Sequence, residues 1–336
     1  KTLLLGARSC ILGGDMGVFS TGWNSSRHKD GGAVCDEIRE LGFENIEVSH
    51  GFSLSLTPGL LKAVEEKRIR VIGVHNFCPA PIDVKGDVPD AYPFTSHRPE
   101  DRARGMRLTL ETMQVASALG ARYVVLHMGD VHLFMGHKGT RELQRLARHG
   151  YVGTKEYALR KGELVRRRIK LAPIYFERAR QALHQLAEKA KELDLVLGVE
   201  GRSHFEQVPG EFEMPLLMEE FADDPHVRYW HDFGHIQCKH NLLLLNHSQY
   251  LSGLKPHIYG AHINDVQWPQ RDHRAPFYGG DVDFPGLLSR YFTPDMPLTW
   301  ELSPSNTKEM ILDAKTRWDA MKRDLGWTMD SATERH

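Results

Sequence analysis

The chain repeats one unit: a short apolar run, then a stretch whose apolar residues recur at helical spacing. The runs fall at residues 3–6, 45–49, 70–77, 123–127, 195–200, 227–232, 257–264 and 297–303. The last four follow one another at intervals of roughly 30 to 40 residues, the length of a strand–helix unit. Helical patterns lie between them at 33–41, 102–119, 176–193, 248–254, 284–291 and 307–321, and Thr57-Pro58 reads as a capping threonine with proline in the first turn. Eight parallel strands with covering helices close into a barrel. An open doubly wound sheet should instead carry G-x-G-x-x-G after an early strand, and the loop holding Gly13, Gly14, Gly17 and Gly22 lacks it. The expectation is an α/β fold, a (β/α)8 TIM barrel formed as one domain by residues 1–336, with its active site at the C-terminal strand ends.

Composition narrows the function classes. Hydrophobic residues at 41%, charged residues at 26% and a formal net charge of −1 describe an ordinary globular chain with no global attraction to nucleic acid or an anionic membrane. Cys10, Cys35, Cys78 and Cys238 form no C-x-x-C pair, so neither a zinc knuckle nor a redox motif is indicated, and a reducing, cytoplasmic setting is expected. No stretch reaches the about 18 apolar residues of a membrane span, and the first residues read as a strand rather than a signal peptide. Residues 130–170 carry 11 Lys or Arg against 4 Asp or Glu and read as an exposed helical and loop insertion on the rim after strand four. That insertion is expected to be a lid, a homo-oligomer contact or a backbone-tracking surface, though it lacks interleaved aromatics for stacking bases. The proline-rich segment 79–99 is expected to shape the rim.

Four successive runs end in residues that bind metals: Glu200, Asp232, His262 and Glu301. A single glutamate at a strand end is ordinarily a solvated loop residue. Four such residues at equivalent ends of consecutive parallel strands point to one place, and divalent cations bind that mixture of carboxylate oxygen and imidazole nitrogen. His235 follows Asp232 by three. His75 and His127 end strands three and four, where a histidine is as readily a packed core residue as a substrate contact, a general acid or a second-metal ligand. Arg202, His204, Arg271 and Arg274 lie in loops over the mouth, suited to hold an anionic or polar group of a substrate. Trp23, Trp230 and Trp268 either line a ligand pocket or pack; Trp230 alternates with Asp232 and so faces the same side.

The set Glu200, Asp232-Phe-Gly-His235, His262-Ile-Asn-Asp265 and Glu301, with Gly279-Gly280-Asp281-Val282-Asp283-Phe284 behind it, resembles the xylose isomerase-like barrel superfamily. The resemblance spans nearly the whole chain. It implies a metal held by Glu200, Asp232, His262 and Glu301, manganese first, with magnesium, cobalt or zinc as alternatives. It also implies Glu200 and Glu301 as paired acid/base groups, with His235 touching substrate; His127 joins the catalytic candidates, and His75 and Trp230 the substrate-binding ones. A proton beside a carbonyl is too weakly acidic for an unaided carboxylate, so a cation that stabilises the enediolate makes its removal feasible. The activity expected is isomerisation or epimerisation of a small sugar or sugar-like polyol; elimination from a keto-sugar (a lyase or dehydratase) is the alternative at the same site. Abasic-site cleavage of the endonuclease IV kind is the runner-up. It calls for histidines like His75 and His127, and for an aspartate and histidine two apart where this chain has Asp272 and His273 adjacent.

Overall fold

A computed structural model describes residues 17–84, 88–132, 138–269 and 271–327. Eight parallel strands close a barrel: β1 (Gly17–Ser20), β2 (Asn45–Val48), β3 (Arg70–His75), β4 (Tyr123–Leu126), β5 (Val196–Glu200), β6 (Val227–Asp232), β7 (Ile258–Ile263) and β10 (Leu298–Trp300). Around the barrel the order is β1-β10-β7-β6-β5-β4-β3-β2. Between β7 and β10 the chain adds an antiparallel ribbon of β8 (Asp265–Gln267) and β9 (Arg271–Arg274). The expected barrel is therefore present, with one strand relocated. Residues 3–6 lie outside the described residues, and the first barrel strand is Gly17–Ser20, which pairs with β10 on one side and β2 on the other. Its glycine and serine disguise it as part of a loop, since only Val18 and Phe19 supply an apolar signal.

The covering helices are α1 (Gly31–Glu40), α2 (Thr57–Glu65), α3 (Pro99–Ala118), α4 (Lys138–Arg148), α5 (Lys155–Leu193), α6 (Glu213–Glu220), α7 (Phe233–Asn241), α8 (His247–Leu254), α9 (Phe284–Tyr291) and α10 (Lys308–Asp324). Thr57 lies inside α2 rather than capping it; the cap position is Leu56, with no side-chain hydrogen bond. No helix among the described residues is long and apolar enough to cross a membrane. Cys35, Cys78 and Cys238 are buried free thiols, and burial pushes those of Cys35 and Cys78 up to about 12.

Within the basic segment, residues 138–148 form α4 and residues 155–170 the first part of α5, which continues to Leu193. Part of its charge is spent internally: the Arg168 guanidinium donates to both carboxylate oxygens of Glu213 at 2.7 Å and to the Phe205 and Gln207 carbonyls at 2.9 Å. Thr140 on α4 donates to Glu206 through its backbone N–H and its hydroxyl. Both helices are thus clamped to the loop that leaves β5.

Strand alternation explains how the barrel interior supports its mouth. Residues two apart on a strand share a face, so Gly73 underlies His75, Gly198 underlies Glu200, Trp230 underlies Asp232, Gly260 underlies His262, and Thr299 underlies Glu301. The glycines make room for large neighbours. A Cβ on Gly73 would lie 2.0 Å from the Tyr123 ring, and one on Gly260 would lie 2.6 Å from the Trp230 ring. Tyr123 and Trp230 fill the bore with ring centroids 4.4 Å apart. Aromatic rings set against glycines fill the barrel and leave the charged residues as its top layer.

Candidate metal centre

Glu200 ends β5, Asp232 ends β6, His262 lies on β7 and Glu301 follows β10, four strands that are neighbours in the barrel. One ligand atom from each of these residues lies within 4.8 Å of the other three. His262 Nδ1 is the hub: it is 3.1 Å from Glu200 Oε1, 3.2 Å from Glu301 Oε2 and 3.6 Å from Asp232 Oδ2. Glu200, Asp232 and His262 are buried, and the Glu301 side chain alone keeps solvent contact, at 12%.

The spacing Asp-x-x-His has a local cause. Asp232 is the N-cap of α7, and its Oδ1 accepts from the His235 backbone N–H at 2.7 Å. Its Oδ2 stays turned to the site, held by the Asn264 amide at 3.0 Å. One side chain therefore starts the helix and faces the metal position. The cap also carries His235 to the mouth, where its Nδ1 lies 3.2 Å from the Gly201 carbonyl and 3.4 Å from Glu200 Oε1.

Glu47, on β2, joins the centre without having been singled out from the sequence. It is fully buried; its two oxygens lie 3.2 and 3.3 Å from His262 Nε2, and Tyr123 donates to it at 3.0 Å. A carboxylate on one ring nitrogen keeps the proton there and leaves Nδ1 free to ligate, an arrangement common behind metal-binding histidines. The available signal was a charged residue in the middle of a barrel strand, where charges are rarely buried without a partner.

The electrostatics fit a cation. Burial raises the Glu200 carboxyl, but the charges of His127 and Arg202 outweigh it and hold it well below the usual range. Asp232 is likewise pushed up by burial and pulled further down by His235 and by the His262 hydrogen bond. Burial lowers His262, while the Glu301 and Glu47 carboxylates raise it well above an ordinary histidine. Three carboxylates surround a single imidazole, so the quartet carries net negative charge even with that imidazole protonated, and a cation answers it. Mixed oxygen and nitrogen donors at this spacing suit a divalent ion of the magnesium, manganese or zinc type.

The other expected site residues are distributed unevenly. His75 and His127 do reach the centre, with Nε2 atoms 3.6 and 2.5 Å from Glu200 Oε2, and the three form a second group of metal-ligand spacing. His235, Asp272 and His273 form a third. The adjacency of Asp272 and His273, expected to weaken such a site, does not keep them apart: β9 begins at Arg271 and turns both toward His235. Arg202 is not a solvated loop residue, because its guanidinium donates to Glu200 Oε2 at 3.1 Å and Asp90 Oδ2 at 3.0 Å and contacts His127. Asp90 comes from the proline-rich segment and was not expected. His204 bonds Ser203 at the rim, Arg271 is exposed and Arg274 half-buried on β9. Trp230 is fully buried against Tyr123 and the His262 ring, so it supports the site from below and does not line it; Trp23 is equally buried, with its Nε1–H on the Asn306 carbonyl. Asp265 is a scaffold residue whose carboxylate accepts from the backbone N–H groups of Val266, Phe277 and Val282, and a Cβ on Gly280 would strike that carboxylate at 1.9 Å. Asp283 caps α9.

Three comparisons place the chain among known proteins. A family profile described as xylose isomerase-like TIM barrel matches residues 35–318. No curated protein sequence matches significantly. Among solved structures, a D-tagatose 3-epimerase-like protein superposes with a TM-score of 0.63 at 14% identity, covering 93% of this chain and 98% of that one. An L-ribulose 3-epimerase does so with 0.63 at 16%, covering 96% and 98%, and a 3-keto-D-glucoside 4-epimerase from E. coli with 0.62 at 14%, covering 91% and 99%. At these identities the likeness is one of fold.

Proposed function

Because the chain belongs to the xylose isomerase-like TIM-barrel family, we propose that it is a divalent-metal-dependent isomerase or epimerase of a small carbohydrate. One observation carries the reading: Glu200, Asp232 and Glu301 surround a single nitrogen, His262 Nδ1, at 3.1 to 3.6 Å. A divalent ion held by these four residues, manganese first, would draw charge from a substrate carbonyl and its neighbouring hydroxyl and so acidify the adjacent C–H. Glu200 and Glu301 then stand on strands separated by β6 and β7, flanking the substrate from two sides. One, as carboxylate, would remove the proton while the other, as carboxylic acid, would deliver its own proton to the opposite face, inverting the carbon and exchanging the protonation states of the pair; delivery to the neighbouring carbon gives isomerisation, and loss of a leaving group gives elimination. Glu301, the quartet's only solvent-contacting member, is the natural first acceptor. His235 and His127, at the mouth beside Glu200, are placed to hold substrate hydroxyls, with His75 beneath them. Arg271, Arg274 and His204 are assigned to the distal end of the substrate.

The test is solvent exchange. Incubation with manganese and a panel of ketoses in deuterium oxide should place deuterium beside the carbonyl, and a chelator should stop it. Absence of exchange across the panel, with metal bound, would remove the reading. A second reading is favoured by the two additional ligand groups, His75–His127–Glu200 and His235–Asp272–His273: cleavage of a phosphodiester at an abasic site. An abasic oligonucleotide left uncut by the zinc-loaded protein eliminates it.

A further inference from the structure

The second ligand group already contains a cation belonging to the protein. His75 Nδ1 lies 3.0 Å from the Asn76 carbonyl, so its proton sits there and the Nε2 lone pair faces Glu200. His127 Nδ1 lies 3.0 Å from Asp90 Oδ1 and its Nε2 lies 2.5 Å from Glu200 Oε2, so this ring bridges two carboxylates. The two Nε2 atoms and Glu200 Oε2 thus converge at metal-ligand spacing on one pocket. Arg202 occupies it. Its Nη1 contacts His127 Nε2 and donates to Glu200 Oε2 at 3.1 Å, while Nη2 is anchored on Asp90 Oδ2 at 3.0 Å. The side chain is only 10% exposed.

We propose that the Arg202 guanidinium is a built-in cation that fills the pocket of His75, His127 and Glu200 and confines divalent-ion binding on this side of the mouth to the quartet. The inference rests on the reading of Glu200, Asp232, His262 and Glu301 as a metal centre. The contrast between the two groups supports it. The two groups share Glu200 but use different oxygens: Oε1 faces His262 of the quartet, while Oε2, the oxygen facing His75 and His127, is the one matched by the guanidinium. A divalent ion entering there would meet a fixed positive charge in a low-dielectric setting, and a guanidinium cannot shed its proton to make way. Asp90 holds the arginine in place through one oxygen and orients His127 through the other, so the plug and the pocket share one support. The arrangement favours one-ion sugar chemistry over a multi-ion hydrolytic site, and it makes Arg202 the residue that sets the metal count.

The experiment is metal counting on the full chain, stripped with chelator, saturated separately with manganese and with zinc, desalted and analysed by mass spectrometry of the elements. Arg202→Leu should gain one equivalent per chain over wild type, and Arg202→Leu combined with His75→Ala should lose it again. His75→Ala alone should leave the wild-type count unchanged. An unchanged count in folded Arg202→Leu overturns the inference, and so does a one-equivalent fall in His75→Ala, which decides the matter even if Arg202→Leu does not fold. Asp232→Asn probes the quartet separately: a fall of one equivalent supports the centre on which the inference rests, and no fall defeats that centre together with the inference.

Discussion

Strands β2 to β4 bring imidazoles to the mouth of the barrel, whereas β5, β6 and β10 bring carboxylates. On the first side His50, His75 and His127 stand in an edge-to-face row, with successive ring centroids 4.9 and 4.8 Å apart. Burial, then the charges of His75 and His127, hold His50 well below an ordinary histidine, so it faces the mouth as a neutral ring. On the second side Glu200 and Asp232 are kept ionised at full burial, with Glu301 beside them. The imidazole side balances its own charge through Arg202 and Asp90, while the carboxylate side concentrates negative charge around His262. One flank of the mouth thus presents a row of imidazoles beside a paired arginine and aspartate, and the other a cluster of carboxylates around one imidazole.

The largest effect should come from removing a base on the carboxylate side. Glu301→Gln should retain the fold and lose at least about 100-fold in the rate of deuterium incorporation beside the carbonyl; a rate near wild type would move the base to the imidazole side and undo the contrast. Next is the residue that crosses between the two sides. Glu47→Gln should weaken manganese binding by about 10- to 100-fold in calorimetry, because His262 loses the carboxylate that fixes its proton on Nε2, and unchanged affinity would show the quartet to be independent of β2.

A smaller effect, with a definite sign, follows from protonation. His262 is raised well above its ordinary value by Glu301 and Glu47 against the opposing effect of burial. Its Nδ1 must be bare to ligate, so a proton competes with the metal past neutral pH. Affinity should rise with pH between 6 and 8 by up to about tenfold per unit, and calorimetry in buffers of different ionisation enthalpy should register proton release; a flat profile would contradict it. The smallest effect concerns the metal-free fold. Burial lowers His273, but Asp272, Glu301 and Asp232 raise it to about 9. A histidine raised in the folded state above its unfolded value of about 6.5 adds stability that is complete below that pH and lost as pH rises through 9. The ring keeps solvent contact, so the loss should be at most about 1 kcal/mol. Urea unfolding of metal-free protein at pH 6 and pH 9.5 should show it, and His273→Gln should abolish it.

How much could be read beforehand follows the same divide. The carboxylate side was legible because each of its residues closes a well-formed apolar run, and strand alternation alone then sends Glu200, Asp232, His262 and Glu301 to one place. The imidazole side was only half legible. His75 and His127 end clear strands, and Glu47 offers only the cue of a charge inside one, while Asp90 lies in a proline-rich segment with no periodicity and His50 follows a strand by two residues, so neither of these two carries a positional signal. The β1 strand was hidden by its glycine and serine, and α7 because it begins at the residue after β6 with no intervening turn. Arg202 was visible as a mouth residue, yet its commitment to Asp90 and His127 depends on contacts across 112 and 75 positions that no local pattern encodes.

The central claim is that Glu200, Asp232, His262 and Glu301 share one ion. Crystals grown with manganese and measured near its absorption edge test it most directly. The prediction is an anomalous peak lying about 2.0 to 2.4 Å from a carboxylate oxygen of each acid and from His262 Nδ1. A peak bonded to His75 and His127 and away from Asp232 and Glu301, or no peak at the quartet from manganese-saturated protein, would contradict it.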